Sequence, residues 1–136
     1  MLTAQQQAFV QALEELDLQQ VQRLLTDGLS LNFIDPEKGP VISVWSDGLF
    51  KWWEAICEAY EAGAPLSEQE KQQTLAVHLD ILEQLIHGKA NLHLWDTEEI
   101  YGPLWDAASA ACAPAVKRLL DEKVDPNTKD EDGLTI

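Results

Sequence analysis

The sequence predicts an all-α protein, a solenoid of short helical repeats joined by hairpin-like fingers. Three observations predict it. Three segments align without gaps, VQRLLTDGLSLN at 21–32, LEQLIHGKANLH at 82–93 and VKRLLDEKVDPN at 116–127, and internal self-similarity of this kind is the mark of a repeat architecture. A second set, FVQALEEL from Phe9, WWEAICEA from Trp52 and LWDAASAA from Leu104, precedes each of these and supplies a partner helix. Finally, 136 residues with 46% hydrophobic content suffice for one core but not for two ordinary domains, so residues 1–136 are expected to form a single domain.

The elements follow in chain order. Thr3 with Gln6, Asp17 with Gln20 and Ser67 with Glu70 have the spacing at which a polar side chain caps a helix start, and Pro114 suits a first turn. Val21, Leu24 and Leu25, and likewise Val116, Leu119 and Leu120, form one stripe on a helix with charges between them. Small residues in the partner helices, Ala12, Ala55, Ala107, Ala108, Ala110 and Ala111, permit the close approach that stacked helix pairs need. The run PVISVW has the β-branched and aromatic character of a short strand, which predicts a two-stranded ribbon in the connection after residue 32.

Within this pattern, GPLWDAASAACAPAVKRLLDEKVDPN at 102–127 resembles one ankyrin repeat. Pro103, Leu104, Ala107, Ala108, Val116, Leu119, Leu120, Asp125 and Asn127 fall on matching positions; Gly102, Trp105 and Lys123 depart from the pattern's threonine, histidine and glycine. Asp132, Gly133, Leu134 and Thr135 are similar to the opening of a further repeat. The resemblance implies repeat 1 at about 3–46, an enlarged repeat 2 at about 47–98, repeat 3 at about 99–131 and the start of another at 132–136. Val21 to Leu82 spans 61 positions and Leu82 to Val116 spans 34, close to the ~33 of an ankyrin unit. The excess implies about 10 extra residues in the first finger and about 18 between the helices of repeat 2, around 61–78. The glycine that closes the second helix in a left-handed turn is present as Gly28 but becomes Lys89 and Lys123, at a cost of ~1 kcal/mol or more each. Gly88, one position early, is expected to take over that cap at the second turn.

Charge narrows the function. The 24 acidic residues against 9 basic ones give a net charge of -15, and the densest basic pair is Lys117 with Arg118. Direct nucleic-acid binding is excluded on this balance, because it depends on cations that displace phosphate counterions. Basic partners are attracted instead, within a screening length of ~8 Å at physiological salt. No stretch approaches the ~18 apolar residues of a membrane span, and the first residues carry no secretory pattern, so the expectation is a soluble, cytoplasmic protein.

Residues that carry chemistry are sparse. Cys57 and Cys112 have no short-spaced partner and read as reduced packing residues. His78 and His87 are nine apart and share no helix face, and with His93 they make no metal-ligand pattern. Asp125, Asn127, Asp130 and Asp132 superficially suggest a calcium loop, but Lys129 stands where an oxygen ligand is needed. Glu14 with Glu15, and Glu98 with Glu99, point in different directions on a helix and read as solvated. No nucleophile motif or phosphate-cradling loop is present, so neither an enzyme nor a cofactor is expected.

Tryptophan is over-represented, with five at 45, 52, 53, 95 and 105. Trp52 is expected in the core, with Trp53 and Trp105 half-buried. Trp45 and Trp95 are expected in connections, where they either anchor a partner or are covered by the insertions, and large aromatics are frequent interface anchors. With the neighbouring acids, the candidate partner-binding set is Trp45, Asp47, Trp53, Trp95, Asp96, Glu98, Glu99 and Tyr101. Resemblance to ankyrin proteins implies protein recognition, here of a basic partner that the chain neutralises in the manner of an immunity protein or antitoxin. An acidic nucleic-acid mimic and a scaffold or adaptor module are the alternatives.

Overall fold

The computed structural model describes residues 2–92, 103–110 and 112–124. Among them lie six helices: α1 (Ala4–Glu15), α2 (Leu18–Thr26), α3 (Val41–Glu61), α4 (Glu68–His87), α5 (Pro103–Ser109) and α6 (Ala113–Asp121). The sole sheet among the described residues is a ribbon of β1 (Ile34–Asp35) and β2 (Gly39–Pro40), antiparallel, with Ile34 opposite Pro40. The protein is all-α, and none of the described helices is long and apolar enough to cross a membrane.

The predicted caps form. Thr3 and Gln6 exchange side-chain hydrogen bonds with each other's backbone, Asp17 accepts from Gln20 N, and Ser67 accepts from Glu70 N. These satisfy N–H groups that a helix start otherwise leaves open.

Packing sorts the helices into pairs and rows. α1 packs on α2, α3 on α4 and α5 on α6; α3 lies between α1 and α5, while α4 packs on α2. The core runs between the rows and includes Phe9, Val21, Leu24, Ile42, Leu49, Leu82, Leu85 and Leu119.

The first and last pairs repeat each other closely. Leu18–Thr26 and Ala113–Asp121 are offset by 95 positions at both ends. The turns ahead of them keep the same offset: Asp17 N donates to Ala12 O at 2.9 Å, and Cys112 N to Ala107 O at 3.0 Å. Ala12 and Ala107 are both buried, where a larger side chain would push the turn away from the core.

All three second helices end alike. Gly28 N donates to Leu25 O and Leu29 N to Leu24 O; Lys89 N donates to Ile86 O and Ala90 N to Leu85 O; Lys123 N donates to Leu120 O and Val124 N to Leu119 O. This is the paired bond pattern that closes a helix on a left-handed residue. Gly28, Lys89 and Lys123 have φ of 89°, 62° and 64°.

Several expectations require correction. Gly88 does not take over the second cap. Its Cβ would stand 2.9 Å from Leu31 Cδ1 and 3.0 Å from Leu25 Cδ2, so its missing side chain serves close packing against the first pair, and Lys89 bears the positive φ. PVISVW is not a strand, because Pro40 sits at the N-cap and Val41–Trp45 form the first turns of α3. They are buried where α3 packs between α1 and α5, and tertiary burial overrides β-branched preference there. The ribbon lies one step earlier, at Ile34–Pro40.

The extra length of the middle pair is not a loop either. It extends both helices, to 21 residues in α3 and 20 in α4. The first half of α3 fills the inner row, and the segment from Trp52 does not: Ala55 is exposed where Ala12 and Ala107 are buried. Gly39-Pro40 therefore corresponds to Gly102-Pro103, and the expected boundary at residue 46 falls inside α3.

Candidate functional site

A cleft of about 460 Å³ opens where the ribbon, the end of α1 and the first half of α3 meet. Local chemistry builds its ribbon wall. Asp35 Oδ1 accepts from Glu37 N at 2.8 Å and from Lys38 N at 3.1 Å, which fixes the tip, and Gly39 supplies the positive φ of 84° that returns the chain. Lys38 Nζ then reaches Glu14 Oε1 at 2.6 Å and pins the ribbon to α1.

The floor comes from α3. Ser43, Val44, Asp47, Gly48 and Lys51 share one helix face and line the cleft with Glu14, Glu37 and Lys38. A glycine inside a helix costs about 1 kcal/mol relative to alanine, and a Cβ at Gly48 would find no atom within 4 Å. Its absence is therefore not demanded by packing within the chain, and it leaves helix backbone accessible from the cleft. Ser43 Oγ is shielded from solvent and has no hydrogen-bond partner.

Two ion pairs set the electrostatics. Lys51 pairs with Asp47 at 2.9 Å, and Lys38 with Glu14. The hydrogen bonds that Lys38 donates to Glu14 and Lys51 to Asp47 hold both lysines above the ordinary lysine range. All four side chains are well exposed, so each pair is worth only a few tenths of a kcal/mol up to about 1. They shape the cleft more than they stabilise the fold.

The predicted residues separate. Asp47 lines the cleft. Trp53 lies half-buried further along α3, as expected of it. Trp45 is corrected: it is not in a connection but inside α3, 2% exposed, with Nε1 donating to His78 O at 2.9 Å. A side chain so enclosed and hydrogen-bonded holds α3 against α4 and cannot anchor a partner. Trp52 packs against the same cluster, its ring 5.8 Å from that of His78. Trp95, Asp96, Glu98, Glu99 and Tyr101 lie outside the described residues, as does the side chain of Trp105.

Sequence reading missed Glu14, Glu37, Lys38, Ser43 and Gly48. One signal was available, a glycine within the apolar-rich stretch from Val41 to Trp53. The pairing of Lys38 with Glu14, 24 positions apart, leaves no local trace.

His78 is 2% exposed, neither of its ring nitrogens has a partner, and burial lowers its pKa to about 4. It stays a neutral packing residue at physiological pH. Among the described residues, no group of three or more His, Cys, Asp or Glu side chains is placed to hold a metal ion. No family model, curated protein or solved structure matches this chain.

Proposed function

We propose that the chain is an ankyrin-like helical repeat protein that binds a basic protein partner and neutralises it, in the manner of an immunity protein or antitoxin, without catalysis or cofactor. The observation that carries this reading is the recurrence of one helix-ending turn at Gly28, Lys89 and Lys123 in helix pairs laid side by side. Stacked units of this kind use their protruding connections and inner helix faces for recognition. The first finger and the accessible backbone at Gly48 form such a surface. The net charge of -15 favours a basic partner by long-range attraction. Repeat bounds follow the helices, with the middle unit enlarged by helix extension.

The test is capture from native lysate with mass spectrometry, followed by reconstitution with the purified partner. Wild type is compared with a cleft variant carrying Gly48→Gln and Glu37→Lys. A stoichiometric basic protein that the variant loses supports the reading. A partner retained equally by the variant, or no partner, contradicts it. The acidity of the chain also favours the nucleic-acid mimic, which predicts a nucleic-acid-binding partner released by high salt and indifferent to the cleft variant.

A further inference from the structure

The cleft beside the first finger is rich in hydrogen-bond acceptors, and its two cationic donors are already engaged, Lys38 with Glu14 and Lys51 with Asp47. Within a helix each N–H is taken by the carbonyl four residues back, so bare helix backbone offers a ligand only carbonyl oxygen. Gly48 provides such backbone on the cleft floor: a helical side chain covers the turn before its own Cα, and at Gly48 there is none. Ser43, also on the floor, is 5% exposed, and its Oγ has no hydrogen-bond partner. A serine hydroxyl turns about one bond, so this oxygen is free to accept from a donor that enters the cleft. Asp47 stands four positions on from Ser43, on the same helix face, where neighbouring Cβ atoms are about 5–6 Å apart.

Charge decides between an incoming anion and an incoming cation. Carboxylates surround both lysines: Asp47 first, then Glu14 and Glu54, hold Lys51 charged, and Glu14 first, then Asp35 and Glu37, hold Lys38 charged. The lysines are counter-ions within a negative field. Beyond the cleft that field continues along α3, because Glu54, Glu58 and Glu61 come 7, 11 and 14 positions after Asp47 and at 3.6 residues per turn fall on its side of the helix. From Trp52 to Glu70 there is no basic residue to offset them. An anion would enter the cleft against this field, and a cation with it.

We propose that the cleft seats one arginine side chain of the basic partner, whose guanidinium donates to the Asp47 carboxylate and to Ser43 Oγ in place of Lys51. Arginine fits where lysine does not. Its planar fork of donors spans a carboxylate and a neighbouring acceptor at once, and it sheds water more readily than an ammonium. Little opposes the exchange, since the Lys51 and Asp47 side chains are 70% and 60% exposed and a pair so open to water is weak. Cations that follow the arginine in the partner then meet Glu54, Glu58 and Glu61. The proposal rests on the reading of the chain as a binder of basic protein and names what that protein inserts.

The test uses the full chain, isotope-labelled, with backbone amide shifts recorded against three probes: N-acetyl-arginine amide, N-acetyl-lysine amide and inorganic phosphate. The arginine probe is expected to shift Ser43, Val44, Asp47 and Gly48 saturably in the millimolar range, the lysine probe to bind at least about threefold more weakly, and phosphate not to saturate these amides. Asp47→Asn and Ser43→Ala are each expected to weaken the arginine probe about fivefold, and Gly48→Gln to abolish its binding. Asp47 is exposed, the Ser43 hydroxyl bonds to nothing, and a side chain at Gly48 meets no atom within 4 Å, so all three variants should keep the fold, which circular dichroism checks. A Ser43 that serves packing alone would leave the affinity unchanged. Equal binding of lysine, saturation by phosphate at the same amides, arginine shifts elsewhere or none, or a change of less than about twofold in either the Asp47 or the Ser43 variant overturns the arginine seat. In each of those cases, a basic protein captured from lysate by wild type and lost by the Gly48→Gln, Glu37→Lys variant still leaves the broader reading standing.

Discussion

Replacing Lys89 or Lys123 with glycine should stabilise the protein. Both lysines close a helix at positive φ, 62° and 64°, where an L side chain crowds the following carbonyl at about 1–2 kcal/mol. Glycine removes that penalty but loosens the unfolded chain, an opposing cost of roughly 0.4–1 kcal/mol. The net gain expected is about 0.5–1 kcal/mol for each replacement. Because both lysines are exposed and the turns belong to different helix pairs, the two gains should add within about 0.5 kcal/mol. For a chain of this length the double variant should melt roughly 3–10 °C higher. Lys89→Ala and Lys123→Ala are the controls: they remove the same side chain without relieving the backbone and should change little. Gly28→Ala is the mirror experiment. Its Cβ would meet no atom within 4 Å, so a loss of about 1 kcal/mol there reports the backbone alone. Urea denaturation followed by helical circular dichroism measures all of these on one scale. If the glycine variants are destabilised, or the alanine controls gain as much as the glycines, the shared left-handed turn is refuted.

Further outcomes follow from the packing. Gly88→Ala should cost about 1–3 kcal/mol by urea denaturation, because the added methyl meets Leu31 and Leu25 at about 3 Å, and a neutral result would deny that contact between the first two helix pairs. Trp45→Ala should cost about 3–5 kcal/mol, as a core residue does, whereas a change within about 0.5 kcal/mol would restore its assignment to the surface. For His78 the folded pKa of about 4 lies below the unfolded 6.5, so the unfolded chain takes up the proton first and stability falls as pH drops through that window. The full loss is on the order of 3 kcal/mol, reached below about pH 4. His78→Leu should flatten the difference in stability between pH 7 and about 5, the carboxylates common to both chains cancelling, and equal slopes for the two proteins would contradict the burial argument. Arg118 bonds to Glu83 of α4 and to Glu122 at the C-cap of its own helix, and a double-mutant cycle of Arg118→Met with Glu83→Gln should return a coupling of about 0.5–1.5 kcal/mol, against none if the link between α4 and α6 does not persist in solution.

What could be read from the sequence was local and periodic. Thr3, Asp17 and Ser67 announce helix starts through chemistry confined to four consecutive residues. The stripe at Val21, Leu24 and Leu25 and its counterpart at Val116, Leu119 and Leu120 mark the second helices of the outer pairs. The offset between those segments holds in the coordinates to the residue. What could not be read was decided by distant neighbours. Val41–Trp45 look like a strand because β-branched side chains suit one, yet their burial between α1 and α5 makes them a helix. The signal that would have corrected the register was Gly39-Pro40, which repeats Gly102-Pro103, but the more conspicuous tryptophans drew the alignment to Trp52 instead. Counting residues located the extra length of the middle unit without revealing its shape. The candidate cleft was legible only at Asp47, since its other walls depend on a lysine reaching an acid 24 positions away.

The central claim is that one helix-ending turn recurs three times down the chain, and amide hydrogen exchange by NMR tests it most directly. The amides of Leu29, Ala90 and Val124 each donate to a carbonyl five residues back, Leu24, Leu85 and Leu119. All three should exchange well below the random-coil rate, by comparable factors, with left-handed backbone shifts at Gly28, Lys89 and Lys123. Free exchange at any of the three, or negative φ at either lysine, would contradict the account.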